Sequence, residues 1–183
     1  MATVYDTTLP LFRSALQTLT TLLKKASSHA AATTPPTDPS ALLAWRLAPT
    51  MLPLAFQIHE VTDTAAQLVA RAHGIPAPTW TPDDLRSFED VWARVREAEA
   101  WLDRADRGLF EEKGKEGRDV EVGVLALGVE SARVVSVGEW VQMYAVPTMF
   151  FHLSTAYGIL RAKGVEVGKR EFIRAFAAPW VEV

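Results

Sequence analysis

The side chains best suited to chemistry gather late in the chain, in Pro147-Thr148-Met149-Phe150-Phe151-His152-Leu153-Ser154-Thr155-Ala156-Tyr157-Gly158-Ile159-Leu160-Arg161. This stretch has the length of a helix and is apolar on nearly every side, yet it holds a histidine, a tyrosine and an arginine. A helix apolar all round belongs in a core, where polar groups need partners or a task. His152 can serve there as a general base or a metal ligand. Equally, it can be a core histidine satisfied by a backbone carbonyl or a hydroxyl. Tyr157 and Arg161 lie one turn apart, a hydroxyl beside a guanidinium that suits a ligand's carboxylate or phosphate, or a neighbouring acid. Trp140, Tyr144, Phe150, Phe151 and Tyr157 cluster around Pro147, an aromatic group that can line a small-molecule pocket or simply fill core.

A second set lies earlier. His59 and Asp63 are one helical turn apart, the spacing of a ligand pair. A helical wheel puts both off the Leu54-Ile58-Val61-Ala65 stripe, so a solvated pair at the bundle's edge is expected. With His152 they form the alternative metal set, a divalent ion being the only cofactor the residues could suggest. Gln57 and Thr64 border the same stripe from its other side. They are better placed to face an internal pocket, or to tie their helix to its neighbour. No GxSxG, phosphate-binding glycine loop, HExxH or paired-cysteine spacing occurs. Asp83-Asp84 and Glu111-Glu112 are paired only by adjacency, and capping and solvation account for them.

These groups must be positioned by helices. Phe12, Ala15, Leu16, Leu19, Leu22 and Leu23 predict a first helix from about Thr8, with Pro10 in its first turn and an end near Ser27-Ser28. Thr33 to Pro39 reads as a loop, and a short turn follows at Ser40–Trp45. Pro49 and Pro53 preclude a continuous helix. The second helix runs from about Pro53 to His73, with Gly74 as its stop. Thr81-Pro82-Asp83-Asp84 carries the signals of a third helix start, which then continues to a frayed end near Asp106-Arg107-Gly108. Glu111–Asp119 reads as a solvated loop. Val120, Val122 and Val124, then Gly128, then Val134, Val135 and Val137, predict a small hairpin. Helix resumes at Glu139, and Pro147 either kinks it or opens a new one ending at Gly164. Phe172, Ile173, Phe176 and Trp180 are too apolar for a free tail and are expected to dock.

The chain has 183 residues, 49% apolar and 22% charged, with a net charge of −3, which fits one domain spanning 1–183. No basic cluster exists to attract nucleic acid or an anionic membrane. Without cysteine there is no disulfide, thiolate nucleophile or cysteine-ligated metal. The first residues lack a basic region followed by an apolar run, and no apolar run approaches membrane-spanning length, so a cytoplasmic protein is expected.

Three ordered blocks carry a family likeness. They are Val4-Tyr5-Asp6 with Pro10 and Phe12; Arg46-Leu47-Ala48-Pro49 with Met51-Leu52-Pro53-Leu54 and Gln57; and Pro147, Phe151-His152, Thr155-Ala156-Tyr157, Leu160-Arg161, Gly164 and Gly168-Lys169-Arg170. From about Tyr5 to Phe172 the chain resembles an uncharacterised DinB-like family, a domain of unknown function found in bacteria and fungi. The resemblance implies a mainly α fold, a DinB-like antiparallel four-helix bundle with a long crossover and a small hairpin before the last helices. It implies no activity. DinB-like proteins often hold a divalent metal on three histidines, one on the second helix and two four apart on the last. His152 matches one of the last pair, but Ala156 stands where its partner belongs. DinB-like relatives also dimerise, and Trp45, Trp80 or Trp180 could supply an interface.

The expected function is therefore binding of a small molecule between helices two and four, with or without metal-free catalysis. His152 and Tyr157 would be catalytic; Tyr144, Arg161, Gln57, Thr64, Trp140 and Phe151 would bind the ligand. A self-associating dimer is the alternative, and a metal-dependent transferase or hydrolase the third reading.

Overall fold

The computed structural model describes residues 2–115, 119–121 and 134–181, with the backbone alone for 112–115, 119–121 and 134. Four long helices make the bundle: α1 (Val4–Ala32), α2 (Leu54–His73), α3 (Phe88–Asp103) and α6 (Val146–Ala162). Two shorter ones join them, α4 (Arg107–Lys115) and α5 (Val137–Trp140), and α7 (Lys169–Ala177) closes the chain. Helix α2 is central, packing against α6 on one flank and α3 on the other, while α1 touches all three. Their apolar stripes meet in one core through Phe12, Leu16, Leu19, Ile58, Val61, Leu68, Val91, Leu102, Met149 and Leu153. Each fully buried Leu, Ile or Phe contributes roughly 1.5–3 kcal/mol, so packing and not propensity holds the helices.

Local chemistry explains the boundaries. Thr3 and Asp6 form a capping box, so α1 begins four residues before Thr8. Pro10 then lies inside the helix on its exposed side, where the carbonyl released by the missing N–H can be hydrated. The helix also continues past Ser27-Ser28 to Ala32, because Ala26 and Ala30 remain buried. Gly74, at φ 67°, ends α2 in the left-handed conformation that glycine adopts without strain.

The expected start of α3 needs correction. Thr81 to Asp84 makes a capping box on a single 3₁₀ turn, and α3 starts at Phe88 under a second box, Ser87 with Asp90. Nor does the chain stay irregular after Asp106, since α4 covers Arg107–Lys115. The expected hairpin is present as β1 (Asp119–Glu121) paired antiparallel with β2 (Val134–Ser136), Val120 opposite Val135. Val122, Val124 and Gly128 lie outside the described residues. Val137 belongs to α5 and is fully buried, capped by Ser136 through Glu139.

Pro147 stands in the first turn of α6, as expected of a proline that opens a helix, although the chain ahead of it is already helical. The stretch Val141–Ala145 between α5 and α6 is a π-helical turn, closed by Val146 N–H donating to the Val141 carbonyl. A wider turn just ahead of a proline absorbs the ring's demand for space and its missing donor. The tail docks through Phe172 and Phe176, whereas Ile173 and Trp180, also expected to dock, stay 44% and 84% exposed. Helix α7 lies on α1, where Ser14 and Thr18 donate to the carbonyls of Ala175 and Phe172. Among the described residues no helix is long and apolar enough to cross a membrane.

Candidate functional site

The central position of α2 gives it two buried flanks. On the α6 flank, Gln57 is buried and its amide orientation is fixed by its Nε2 donating to the Leu52 carbonyl at 3.1 Å. That leaves Oε1 facing His152 Nδ1 at 2.8 Å. An amide oxygen only accepts, so Nδ1 carries the proton and Nε2 is left with a lone pair. Glu60 Oε2 stands 3.7 Å from that nitrogen. Phe56 and Phe151 present ring edges to the imidazole at centroid distances of 5.8 and 5.0 Å. Burial, and then the neighbouring His59, push the His152 pKa down to about 4. Burial and Asp63 together raise that of Glu60.

On the α3 flank the arrangement is reversed. Arg94 is only 5% exposed and holds its guanidinium 3.3 Å from His59 Nδ1, 3.0 Å from Asp84 Oδ2 and 4.6 Å from the centre of the Trp80 ring. A guanidinium only donates, so His59 Nδ1 accepts and its proton sits on Nε2. Burial, with the Arg94 charge second, pushes the His59 pKa to about 4. His59 is 8% exposed, and Asp63 beside it is half-buried, its pKa raised by burial and partly restored by a bond from Gln67. The expectation of a solvated pair at the edge is thus wrong. A helix with neighbours on both sides buries a second stripe, which a wheel centred on Leu54, Ile58, Val61 and Ala65 leaves out.

The remaining expected residues divide. Phe151 is beside His152 and 61% exposed. Thr64 is buried on the same face of α2 as Gln57. Trp140 precedes the π turn and Tyr144 lies in it, with Arg71 over the Trp140 ring at 5.0 Å and the two aromatic rings 6.5 Å apart. Tyr157 points elsewhere, packing edge-on to Phe172 of α7 at 5.8 Å. Arg161 is exposed and follows His152 by nine residues, about half a turn round the helix. Neither joins His152. Glu60 and Arg94 were missed, although Arg94 interrupts the Val91–Val95 stripe and Glu60 follows Gln57 by one turn.

A divalent ion does not fit these residues. His59 has given its lone pair to a guanidinium, whose charge also repels a dication. Among the described residues no three His, Asp or Glu side chains converge on one point. Ala156, buried, offers no ligand where the DinB-like pattern has a histidine.

Residues 4–173 match the family described as a domain of unknown function, DUF1993, and the chain belongs to it. It is also similar to the crystal structure of a DinB family member protein from Shewanella denitrificans, with 27% identity, a TM-score of 0.76, and 92% of this chain and 90% of that one covered. No curated protein matches it.

Proposed function

We propose that the protein binds a small polar molecule at the α2–α6 face and takes a proton from it with His152 Nε2. The observation that carries this reading is the hydrogen-bond chain from Leu52 through Gln57 to His152, which leaves a bare, half-buried ring nitrogen beside a carboxylate. Gln57 positions the ring and fixes its tautomer. Burial keeps the imidazole neutral at pH 7, so Nε2 holds its lone pair, and Glu60 opposite offsets the weak basicity that burial imposes. When the ligand's X–H bond breaks, its electron pair stays on X and the proton goes to Nε2. Glu60, as carboxylate, then faces the imidazolium, and the Phe56 and Phe151 rings limit water around it. Trp140 at the end of α5 and Tyr144 in the π turn, near Arg71 of α2, would meet the far end of a longer ligand.

Diethyl pyrocarbonate, which acylates unprotonated imidazole nitrogens, tests the base directly. His152 should be modified at least about tenfold faster than His59 at pH 6, as an open lone pair against a blocked one requires. Equal rates, or an inert His152, would remove the base from the proposal.

A second reading is favoured by exposed apolar side chains. Met143 and Phe151 are 76% and 61% exposed on the α5–α6 side, and Trp180 is 84% exposed. Such surface suits self-association into a homodimer. Trp45 and Trp80, in contrast, are packed against the core. Sedimentation over a hundredfold concentration range tests it, since a monomer throughout would exclude it.

A further inference from the structure

Away from His152, the loop between the 3₁₀ turn Pro39–Ala44 and α2 forms a cleft with the end of α6. Its volume is about 390 Å³, and Trp45, Arg46, Leu47, Pro49 and Lys163 line it. It is shallow and largely open to solvent, so a ligand would lie against its walls with one side wet. The walls are unlike one another in a useful way. Trp45 supplies an indole, with Lys163 Nζ 6.0 Å from the ring centre. Leu47 adds an aliphatic surface that is left 47% exposed. Arg46 and Lys163 bring two positive charges, and no acid lines the cleft.

The loop is also held in shape. Trp45 accepts from Leu54 N–H at 2.8 Å, Ala48 from Met51 N–H at 3.0 Å, and Met51 from Arg46 Nη1 at 2.6 Å. Leu47 packs close over α6, with its Cδ atoms 3.7–3.8 Å from where a Cβ on Gly158 would stand. A preformed wall loses little entropy when a ligand arrives.

We infer that this cleft is a binding site for a small planar carboxylate, with the ring against Trp45 and Leu47 and the carboxylate between Arg46 and Lys163. One guanidinium edge of Arg46 is used on Met51, and a guanidinium has five donors, so others are left for the ligand. This site is distinct from the one at His152 and does not depend on it.

Benzoate is the probe, with benzyl alcohol as its uncharged counterpart. Proton–nitrogen NMR spectra would be recorded on the full chain, the Trp45 indole signal being assigned by its loss in Trp45→Phe. Benzoate should move that signal in a saturable way. Benzyl alcohol should bind at least about tenfold more weakly, and Lys163→Gln should weaken benzoate at least about fivefold, the scale of one charge-assisted contact. His152→Ala should leave the benzoate response intact. An unmoved Trp45 signal, equal binding of the alcohol, or unchanged affinity in Lys163→Gln would each overturn the inference. So would loss of the response in His152→Ala. Lys163 is exposed, so its variant stays folded and decides the matter.

Discussion

His59 and His152 lie on packed helices, share Phe56 as a neighbour, and are both held neutral down to about pH 4. What separates them is the partner at Nδ1. An arginine can only donate, so His59 has its lone pair occupied and its proton turned to Nε2. A glutamine oxygen can only accept, so His152 has its proton tied down and its lone pair free. The same residue with the same pKa direction is thus a packed hydrogen-bonding group on one flank of α2 and, on the other, carries the open lone pair that the proposed base requires. Burial and pKa alone do not distinguish a structural histidine from a reactive one; the second nitrogen does.

The largest effect should come from acid. Both folded pKa values lie below the ordinary histidine value of about 6.5, so the unfolded chain takes up protons first as pH falls. Stability should be level above about pH 6.5 and decline toward pH 4, by at most about 3 kcal/mol for each histidine. Glu60 and Asp63 have raised values, which favours the folded state as they protonate and offsets part of the loss. Urea unfolding at a series of pH values measures this, and His152→Phe should remove about half of the histidine contribution. An unchanged slope in that variant would mean that His152 is not buried neutral.

Arg94→Ala comes next. It strips His59 of its donor, Asp84 of its ion pair and Trp80 of its stacked cation, and the lost charged hydrogen bond to buried His59 should cost about 2 kcal/mol in urea unfolding. The His59 pKa should rise while the diethyl pyrocarbonate rate at His152 stays the same. A change at both histidines would show that the two flanks act as one unit. Gln57→Leu should be milder, about 1 kcal/mol, because one hydrogen bond to a neutral ring is lost. Its sharper readout is the imidazole itself, since His152 should become a mixture of tautomers.

Much of the frame was readable from residues. Pro53 and Gly74 bound α2 to the residue, the apolar stripes of α1, α2 and α3 are core, and the expectation that Gln57 could tie its helix to a neighbour holds, with His152 as the partner. Helix ends were less legible where two capping signals compete, as at Thr81 and Ser87, or where a proline sits inside a helix that packing sustains. The site was half visible. His152 stood out because its helix is apolar, but His59 looked solvated because a single sequence does not reveal that α3 covers the second flank of α2. Arg94 and Glu60 resemble surface charges until the helices are assembled. Tyr157 shares a helix with His152, yet the register turns it to α7, a contact made by chain far downstream.

The most direct test is a long-range proton–nitrogen NMR spectrum of the imidazole rings at pH 7, which reports which nitrogen of each histidine carries hydrogen. The account predicts His152 protonated at Nδ1 with a bare Nε2, and His59 the reverse. The same tautomer at both, or a proton on His152 Nε2, would contradict it.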